Sequence, residues 1–360
     1  MQQIFKNAKI NGILSDMTVE NGKILSVEKH DIKRIGGIDL DGHTVIPGFI
    51  DIHSHGCLGK ETNAGDVDAI ADYNAKNGTT TIYPTTTTVG YDTIRAAVTR
   101  DIASVKGAKI PGFHLEGPFL SEKYKGAQNA EFIKAPDATF IRSLPNIKII
   151  TVAPEVEGGI EFISEMKKDG IVTCIGHTNA DYDTSVKAIR AGSNCLTHTC
   201  NAMPPLLHRA PGPIGAGADE HIYAQVIGDG LHLHYSMIRA LVNMYGKDRI
   251  VFISDAILAA GMPDGEFTSG GQPHIVKNNE CRLPDGTLAG STSPLLYCAR
   301  TALKNGFTLR DVIRFACENP ARLMKLRRGK LAKGYDADFI VTDDSLSKIV
   351  SVYIDGNLYE

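Results

Sequence analysis

Two histidines one residue apart, His53-Ser54-His55, close an apolar run that extends from Thr44 to Ile52. Such a run reads as a buried strand, and on a strand residues two apart point to the same side. Two imidazoles held side by side at a strand's end can ligate a divalent cation. Paired histidines also occur hydrogen-bonded in polar pockets, so the motif takes its weight from other apolar runs further along the chain. Phe113-His114-Leu115-Glu116 ends such a run on a carboxylate, and Cys174-Ile175-Gly176-His177 and Leu196-Thr197-His198 end on imidazoles. Ile253-Ser254-Asp255 ends on an aspartate. Glu116, His177 and His198 form a set of three ligands that leaves a coordination position open for water. His53 and His55 are candidates for a second, adjacent ion. Asp255 suits either of two tasks, a further ligand or a general base. In the second it takes the proton of a water whose pKa a cation has lowered to about 7, and later delivers it to a departing amine.

The remaining histidines divide by context. His114 points the same way as Glu116, one layer deeper, and reads as a supporting or core residue. His232-Leu233-His234 is a second His-x-His, but it follows Gly228-Asp229-Gly230 and so belongs to a loop in contact with substrate. His30, His43, His208, His221 and His274 carry no spacing signal. Cys57 and Cys200 lie near candidate ligands without a metal-type spacing partner, and read as small hydrophobes.

To gather these side chains, the strand ends must lie on one rim. Apolar runs predict strands near 45–53, 79–85, 110–116, 147–153, 171–176, 195–198, 224–228 and 250–254. Helical patterns fall between most of them, at 67–76, 93–105, 159–168, 184–191 and 236–245. That alternation is an α/β fold with the tally of a distorted (β/α)8 TIM barrel, whose chemistry sits at the C-terminal ends of the strands. A doubly wound open sheet is the rival, but no Gly-x-Gly-x-x-Gly turn opens a first helix. Asn11-Gly12, Asn21-Gly22 and Asp41-Gly42 mark tight turns before the barrel, and Asp355-Gly356 marks one after it. Neither end can bury a core alone, so residues 1–46 and 326–360 are expected to pack together as a small β-sandwich around a barrel of residues 47–325. The basic run Lys325-Leu326-Arg327-Arg328-Gly329-Lys330 reads as a solvated connection.

Composition narrows the function. At 360 residues the chain is long enough for one large barrel and an appendage. A formal net charge of −3 gives no general attraction to nucleic acid or to anionic membrane. No apolar segment approaches the roughly 20 residues that span a bilayer, and Met1-Gln2-Gln3-Ile4-Phe5-Lys6 lacks the apolar core of a signal peptide. Seven cysteines, an odd count without Cys-x-x-Cys, fit a reducing compartment, so the expected location is cytoplasmic.

With these residues aligned, the chain resembles the amidohydrolase superfamily and, within it, the N-acetylglucosamine-6-phosphate deacetylases. The similarity runs along nearly the whole chain. It is carried by Pro47-Gly48-Phe49-Ile50-Asp51-Ile52-His53-Ser54-His55-Gly56, His114-Leu115-Glu116-Gly117-Pro118-Phe119 and Gly176-His177-Thr178-Asn179-Ala180. Thr197-His198-Thr199-Cys200-Asn201-Ala202-Met203, Gly228-Asp229-Gly230-Leu231-His232, Ser254-Asp255-Ala256 and Leu288-Ala289-Gly290-Ser291 continue it. Gly334-Tyr335-Asp336-Ala337-Asp338 resembles the superfamily's return into its β-sandwich.

The resemblance implies hydrolysis of the acetamido group of an N-acetyl hexosamine 6-phosphate, giving acetate and the amino-sugar phosphate. It implies Glu116, His177 and His198 as principal metal ligands, Asp255 as the acid/base residue, and His53 and His55 as ligands that make a second ion possible. The cofactor is then a divalent metal, zinc or iron, one or two ions per subunit. Asn201, Ala202, Arg209 and His232 match contacts to the sugar phosphate, and Leu288-Ala289-Gly290 a loop closing over the sugar. Ala127-Gln128 matches a segment where some relatives carry histidine at the second position to polarise the acetyl carbonyl; a glutamine donates only a neutral hydrogen bond there. The resemblance also implies a homodimer whose substrate contacts cross the interface. The galactosamine epimer, another acylated amine, or a non-catalytic interaction protein on the same fold are the alternatives, and retention of every ligand speaks against the last.

Overall fold

The computed structural model of the chain describes residues 2–360. Eight strands form one parallel sheet in chain order: β1 (Phe49–Ser54), β2 (Thr79–Thr86), β3 (Phe113–Glu116), β4 (Ile147–Val152), β5 (Val172–Ile175), β6 (Cys195–Leu196), β7 (Tyr223–Ile227) and β8 (Ile250–Ile253). Helices α1 (Val67–Lys76), α2 (Tyr91–Val98), α3 (Ala138–Arg142), α4 (Gly159–Lys168), α5 (Tyr182–Ala191), α6 (Gly212–Asp219) and α7 (Tyr235–Tyr245) follow the first seven strands in turn. The sheet curls until its edges meet. Ser54 pairs with Ala256, and the Asp255 N–H donates to the His53 carbonyl at 2.9 Å. Below this seam the buried Asp51 carboxylate accepts from the N–H groups of His53 and Ser254, holding β1 and β8 together.

Ile50, Ile52, Tyr83, Ile149, Val251 and Ile253 fill the inside of the barrel. The outward residues of the same strands pack against the helices, which is why the strands are apolar on both faces. With the interior filled, the open end of the barrel above these strands is where a ligand can meet their polar side chains.

Three local differences from the sequence reading have physical causes. The run Thr44–Ile52 is two strands, because Thr44–Pro47 pairs with Phe339–Thr342 in another sheet before β1 starts at Phe49. The break falls at Gly48, where a Cβ would lie 2.1 Å from Thr80 Oγ1, so only glycine lets the chain pass β2. Helix α2 stops at Val98 instead of running to 105. The Thr99 hydroxyl bonds back to Arg95 O at 2.8 Å, and the Asp101 carboxylate takes Ala103 N and Ser104 Oγ, so these side chains compete with helical continuation. Finally, a four-stranded antiparallel sheet lies between β8 and the next helix, α8 (Leu295–Lys304). Its strands are β9 (Gly265–Ser269), β10 (Gln272–Lys277), β11 (Glu280–Arg282) and β12 (Leu288–Ser291). Leu288-Ala289-Gly290, expected as a loop, belongs to its last strand.

The two ends of the chain share one sheet, in which Gln2–Ile10, Ile13–Glu20, Lys23–Lys29 and Thr44–Pro47 join Phe339–Thr342, Ile349–Ile354 and Asn357–Tyr359. Asn11-Gly12, Asn21-Gly22, Asp41-Gly42 and Asp355-Gly356 all take positive φ at both residues, and all but Asp41-Gly42 join the antiparallel strands of a hairpin. Phe5, Met17, Phe339 and Tyr353 form the core of this sheet, with the last two rings stacked at 4.5 Å. Arg328, expected in a solvated run, instead joins the sheet to the barrel. It pairs with Asp336 at 2.8 Å and donates to Thr81 Oγ1 at 3.1 Å, beside a Lys109–Asp338 pair at 2.9 Å. The cause is local: two buried aspartates at 336 and 338 draw the available cations inward.

Candidate active site

The C-terminal ends of β1, β3, β5, β6 and β8 converge above the barrel. His177 Nε2 lies 3.2 Å and His198 Nε2 2.9 Å from Glu116 Oε1, and the two imidazole nitrogens are 3.1 Å apart. Across the same carboxylate, His53 Nε2 is 3.2 Å from Glu116 Oε1 and His55 Nε2 is 3.3 Å from Oε2. Asp255 Oδ1 completes the second set, 3.4 Å from His53 Nε2 and 3.2 Å from His55 Nε2. Both sets, Glu116–His177–His198 and His53–His55–Asp255, gather their donor atoms within the reach of a single ion, and Glu116 faces both.

Backbone and neighbours aim these atoms. His177, His198 and Asp255 have φ of 46°, 25° and 50°, a conformation that costs a side-chain-bearing residue energy and concentrates at functional sites. Each stands just past the last residue of its strand, so the turn throws its side chain onto the rim. His53 Nδ1–H donates to Gln225 Oε1 at 3.1 Å, His55 Nδ1–H to Thr85 O at 3.1 Å and His177 Nδ1–H to Tyr124 O at 3.0 Å. With Nδ1 committed to these acceptors, Nε2 of each ring is the atom turned toward the carboxylates and is the one a cation would take in place of a proton. Four inward Nε2 atoms beside two carboxylates, all buried, fit a divalent metal.

Electrostatics agree with the donor geometry. Burial pushes the Glu116 carboxyl up, but the charges of His53 and His177 outweigh it and hold it well below the usual carboxylate range. Burial likewise raises Asp255, yet His53 and His55 bring it down to about 2. Burial lowers His55, while its hydrogen bonds to the Asp255 and Glu116 carboxylates raise it to about 10. The pocket therefore calls for positive charge between its carboxylates, which a divalent cation supplies in place of protons.

The cluster lies at the bottom of a cavity of about 550 Å³, a size suited to a small ligand. Ala127, Gln128, Asn201, Ala202, His232, Leu288, Ala289 and Gly290 all line it. Arg209 does not: it is exposed on the turn between Leu207 and Ala210, away from the cavity of its own chain. Gln128 is already engaged, because Nε2 donates to Glu116 Oε2 at 2.6 Å and Oε1 accepts Thr88 N–H at 2.7 Å. Its amide thus steadies the shared carboxylate. His232 Nδ1 pairs with Asp229 Oδ2 at 2.7 Å, whereas His234 only caps α7 through Ser236.

His114 stays below the cluster, bonded to Ile52 O and Thr151 Oγ1. Cys57 and Cys200 belong to neither donor set.

Sheet β9–β12 roofs the cavity and adds Ser269, Gly270 and His274 to its lining. Gln225, Thr85, Tyr124 and His274 were not singled out by sequence pattern. Gln225 alone left a trace, as a buried amide between Ala224 and Val226 in an otherwise apolar strand.

Residues 44–359 match the model of the amidohydrolase family. The chain is 32% identical over 347 residues to an N-acetylglucosamine-6-phosphate deacetylase of Lysinibacillus sphaericus, covering 92% of this chain and 90% of the relative. It is 33% identical over 336 residues to an N-acetylgalactosamine-6-phosphate deacetylase of Escherichia coli O157:H7, covering 89% of each. Among solved structures, a mutant N-acetyl-D-glucosamine-6-phosphate deacetylase from Mycobacterium smegmatis in complex with N-acetyl-D-glucosamine-6-phosphate superposes with a TM-score of 0.93 at 29% identity over 99% of both chains.

Proposed function

The chain belongs to the amidohydrolase family, and from that premise we propose that it is the enzyme that deacetylates N-acetyl-D-glucosamine 6-phosphate, releasing acetate and D-glucosamine 6-phosphate. The observation that carries this reading is the carboxylate of Glu116 facing two imidazole sets at 2.9–3.3 Å under a cavity of ligand size. Glu116, His177 and His198 would hold one divalent ion, and His53, His55 and Asp255 a second that shares Glu116. Zinc and iron both suit this mixture of imidazole and carboxylate donors. When bound, a divalent ion supplies Lewis acidity that polarises a carbonyl and makes water a nucleophile near neutral pH.

The chain's own groups do the rest. Asp255, held ionised by His53 and His55, accepts a proton from the attacking water and returns it to the amine nitrogen as the C–N bond breaks. Gln128 keeps Glu116 in place instead of touching the acetyl carbonyl. Asn201, Ala202 and His232 bind the sugar phosphate, and Leu288-Ala289-Gly290 cover the sugar. Arg209 reaches phosphate only if a second copy presents it, so a homodimer is part of the proposal. So are the division into a barrel of residues 47–325 with a terminal β-unit, and a cytoplasmic location, which suits free thiols at all seven cysteines. Among the described residues no helix is long and apolar enough to cross a membrane.

Acetate release from N-acetyl-D-glucosamine 6-phosphate, with metal analysis of the same sample, tests the proposal. Metal-loaded protein that releases none would overturn it. The galacto epimer is the second reading, favoured by the 33% identity to the Escherichia coli relative; the ratio of kcat/KM on the two sugar phosphates decides.

A further inference from the structure

His274 reaches the cavity from outside the barrel. Strand β10 alternates in burial, with Pro273, Ile275 and Lys277 outward and His274 and Val276 inward. Val276 packs into the roof's own apolar cluster with Ile257, Cys281, Leu283 and Ala289. One step along the same face, where an apolar side chain would continue that cluster, His274 lines the cavity with 5% of its surface exposed. Its Nδ1–H donates to Gln272 O at 3.0 Å, and no described residue bonds its Nε2. Burial outweighs the hydrogen bond to Gln272 O and the charge of Glu61, and holds the ring below the usual histidine range and therefore neutral at pH 7.

The roof that carries the ring is tied down on three sides. Gln272 Nε2 donates to Ala127 O at 2.7 Å, Ser269 Oγ to Glu61 Oε2 at 2.7 Å, and Asn129 Nδ2 to Gly270 O at 3.5 Å. A neutral imidazole with Nδ1–H committed offers one thing to a ligand, the Nε2 lone pair. That lone pair repels phosphate and carbonyl oxygens and accepts from a hydroxyl. The acetamide nitrogen is served by Asp255 in the reaction proposed above, which leaves the ring hydroxyls as donors.

We propose that His274 is a specificity-determining residue whose Nε2 accepts a hydrogen bond from a ring hydroxyl of the amino-sugar substrate. This rests on the deacetylase reading. A sugar that lacks the hydroxyl or turns it away leaves the buried nitrogen unpaired, and discrimination follows from that loss.

The test compares wild type, His274→Phe and His274→Gln on N-acetyl-D-glucosamine 6-phosphate and on its 1-, 3- and 4-deoxy analogues, with bound metal measured for each protein. The expected result is a loss of kcat/KM of about tenfold for His274→Phe on the parent sugar, with metal content unchanged. His274→Gln, which can place an acceptor oxygen near the same point, should recover most of it. On one deoxy analogue the wild type and His274→Phe should be equal. An equal loss on the parent and all three analogues, or no loss at all, overturns the assignment. If the wild type releases acetate from none of them, the deacetylase reading falls and takes this inference with it; if it is active, only the His274 result counts.

Discussion

On the floor of the cavity, His177, His198 and Asp255 sit at φ of 46°, 25° and 50°, each at the end of a strand locked into a parallel ladder. On the roof, His274 rides on a regular antiparallel strand that is fastened to the barrel by three side-chain hydrogen bonds. The floor stores backbone strain because the closed barrel leaves the chain no alternative. The roof stores none at this residue, and its placement depends on contacts that can be cut singly. Floor substitutions should therefore change metal content and the chemical step, whereas roof substitutions should change substrate recognition and leave the metal alone.

The largest expected effect comes from the one floor residue common to both ligand sets. Glu116→Gln should lower bound metal more than His177→Asn or His55→Asn, each of which touches a single set, and activity should fall below detection. Metal-to-protein ratios of the three variants, purified side by side, check this. Equal ratios would mean that Glu116 serves one set only. Asp255→Asn should keep metal in the Glu116–His177–His198 set yet lose about a thousandfold in kcat, measured as acetate release at saturating substrate. A variant at wild-type rate would remove Asp255 as the base.

The floor was legible in the sequence for a physical reason. A barrel strand is apolar on both faces, so a histidine or carboxylate at its end stands out, as Glu116, His177, His198 and Asp255 do. The groups that aim those ligands left almost no trace, because Thr85 and Tyr124 act through main-chain carbonyls that any residue supplies. The roof was missed although Gly270-Gly271 and Asn278-Asn279 both take positive φ, the signature of two-residue hairpin turns. Its strands are short and half exposed, so alternation there is weak. Arg209 was legible only as a motif; an exposed turn says nothing of which molecule it faces. Gln128 stood out only through the resemblance, as a substrate contact; it lines the cavity, and its partner Glu116 could be known only once β3 and its following loop were folded together.

Metal binding to the floor should also be proton-linked. His55 is held at about 10 by Asp255 and Glu116 acting against burial, so at pH 7 it carries a proton that a cation must displace. A group with a raised value is protonated below it, and the apparent metal affinity therefore rises with pH throughout the range below 10. Near neutrality the slope should be at least about tenfold per pH unit, one proton for His55. Titrating metal-stripped protein in lightly buffered solution at pH 7 should release protons with each equivalent bound. Absence of proton release would show that the imidazoles are already neutral.

Two glutamines give the finest division between floor and roof. Gln128 donates to Glu116 at 2.6 Å and Gln272 to the Ala127 carbonyl at 2.7 Å, so one steadies a ligand and the other a fastening of the roof. Gln128→Ala should weaken metal binding by about tenfold, the usual cost of losing a group that orients a ligand. Gln272→Ala removes one neutral hydrogen bond worth about 1 kcal/mol, without touching either ligand set. Its main-chain carbonyl still accepts from His274, so the imidazole keeps its tautomer. KM should rise a few-fold while kcat and metal content stay at wild-type values. A fall in metal content on changing Gln272 would mean that roof and floor move as one body, and the independence drawn from their different backbones would be lost.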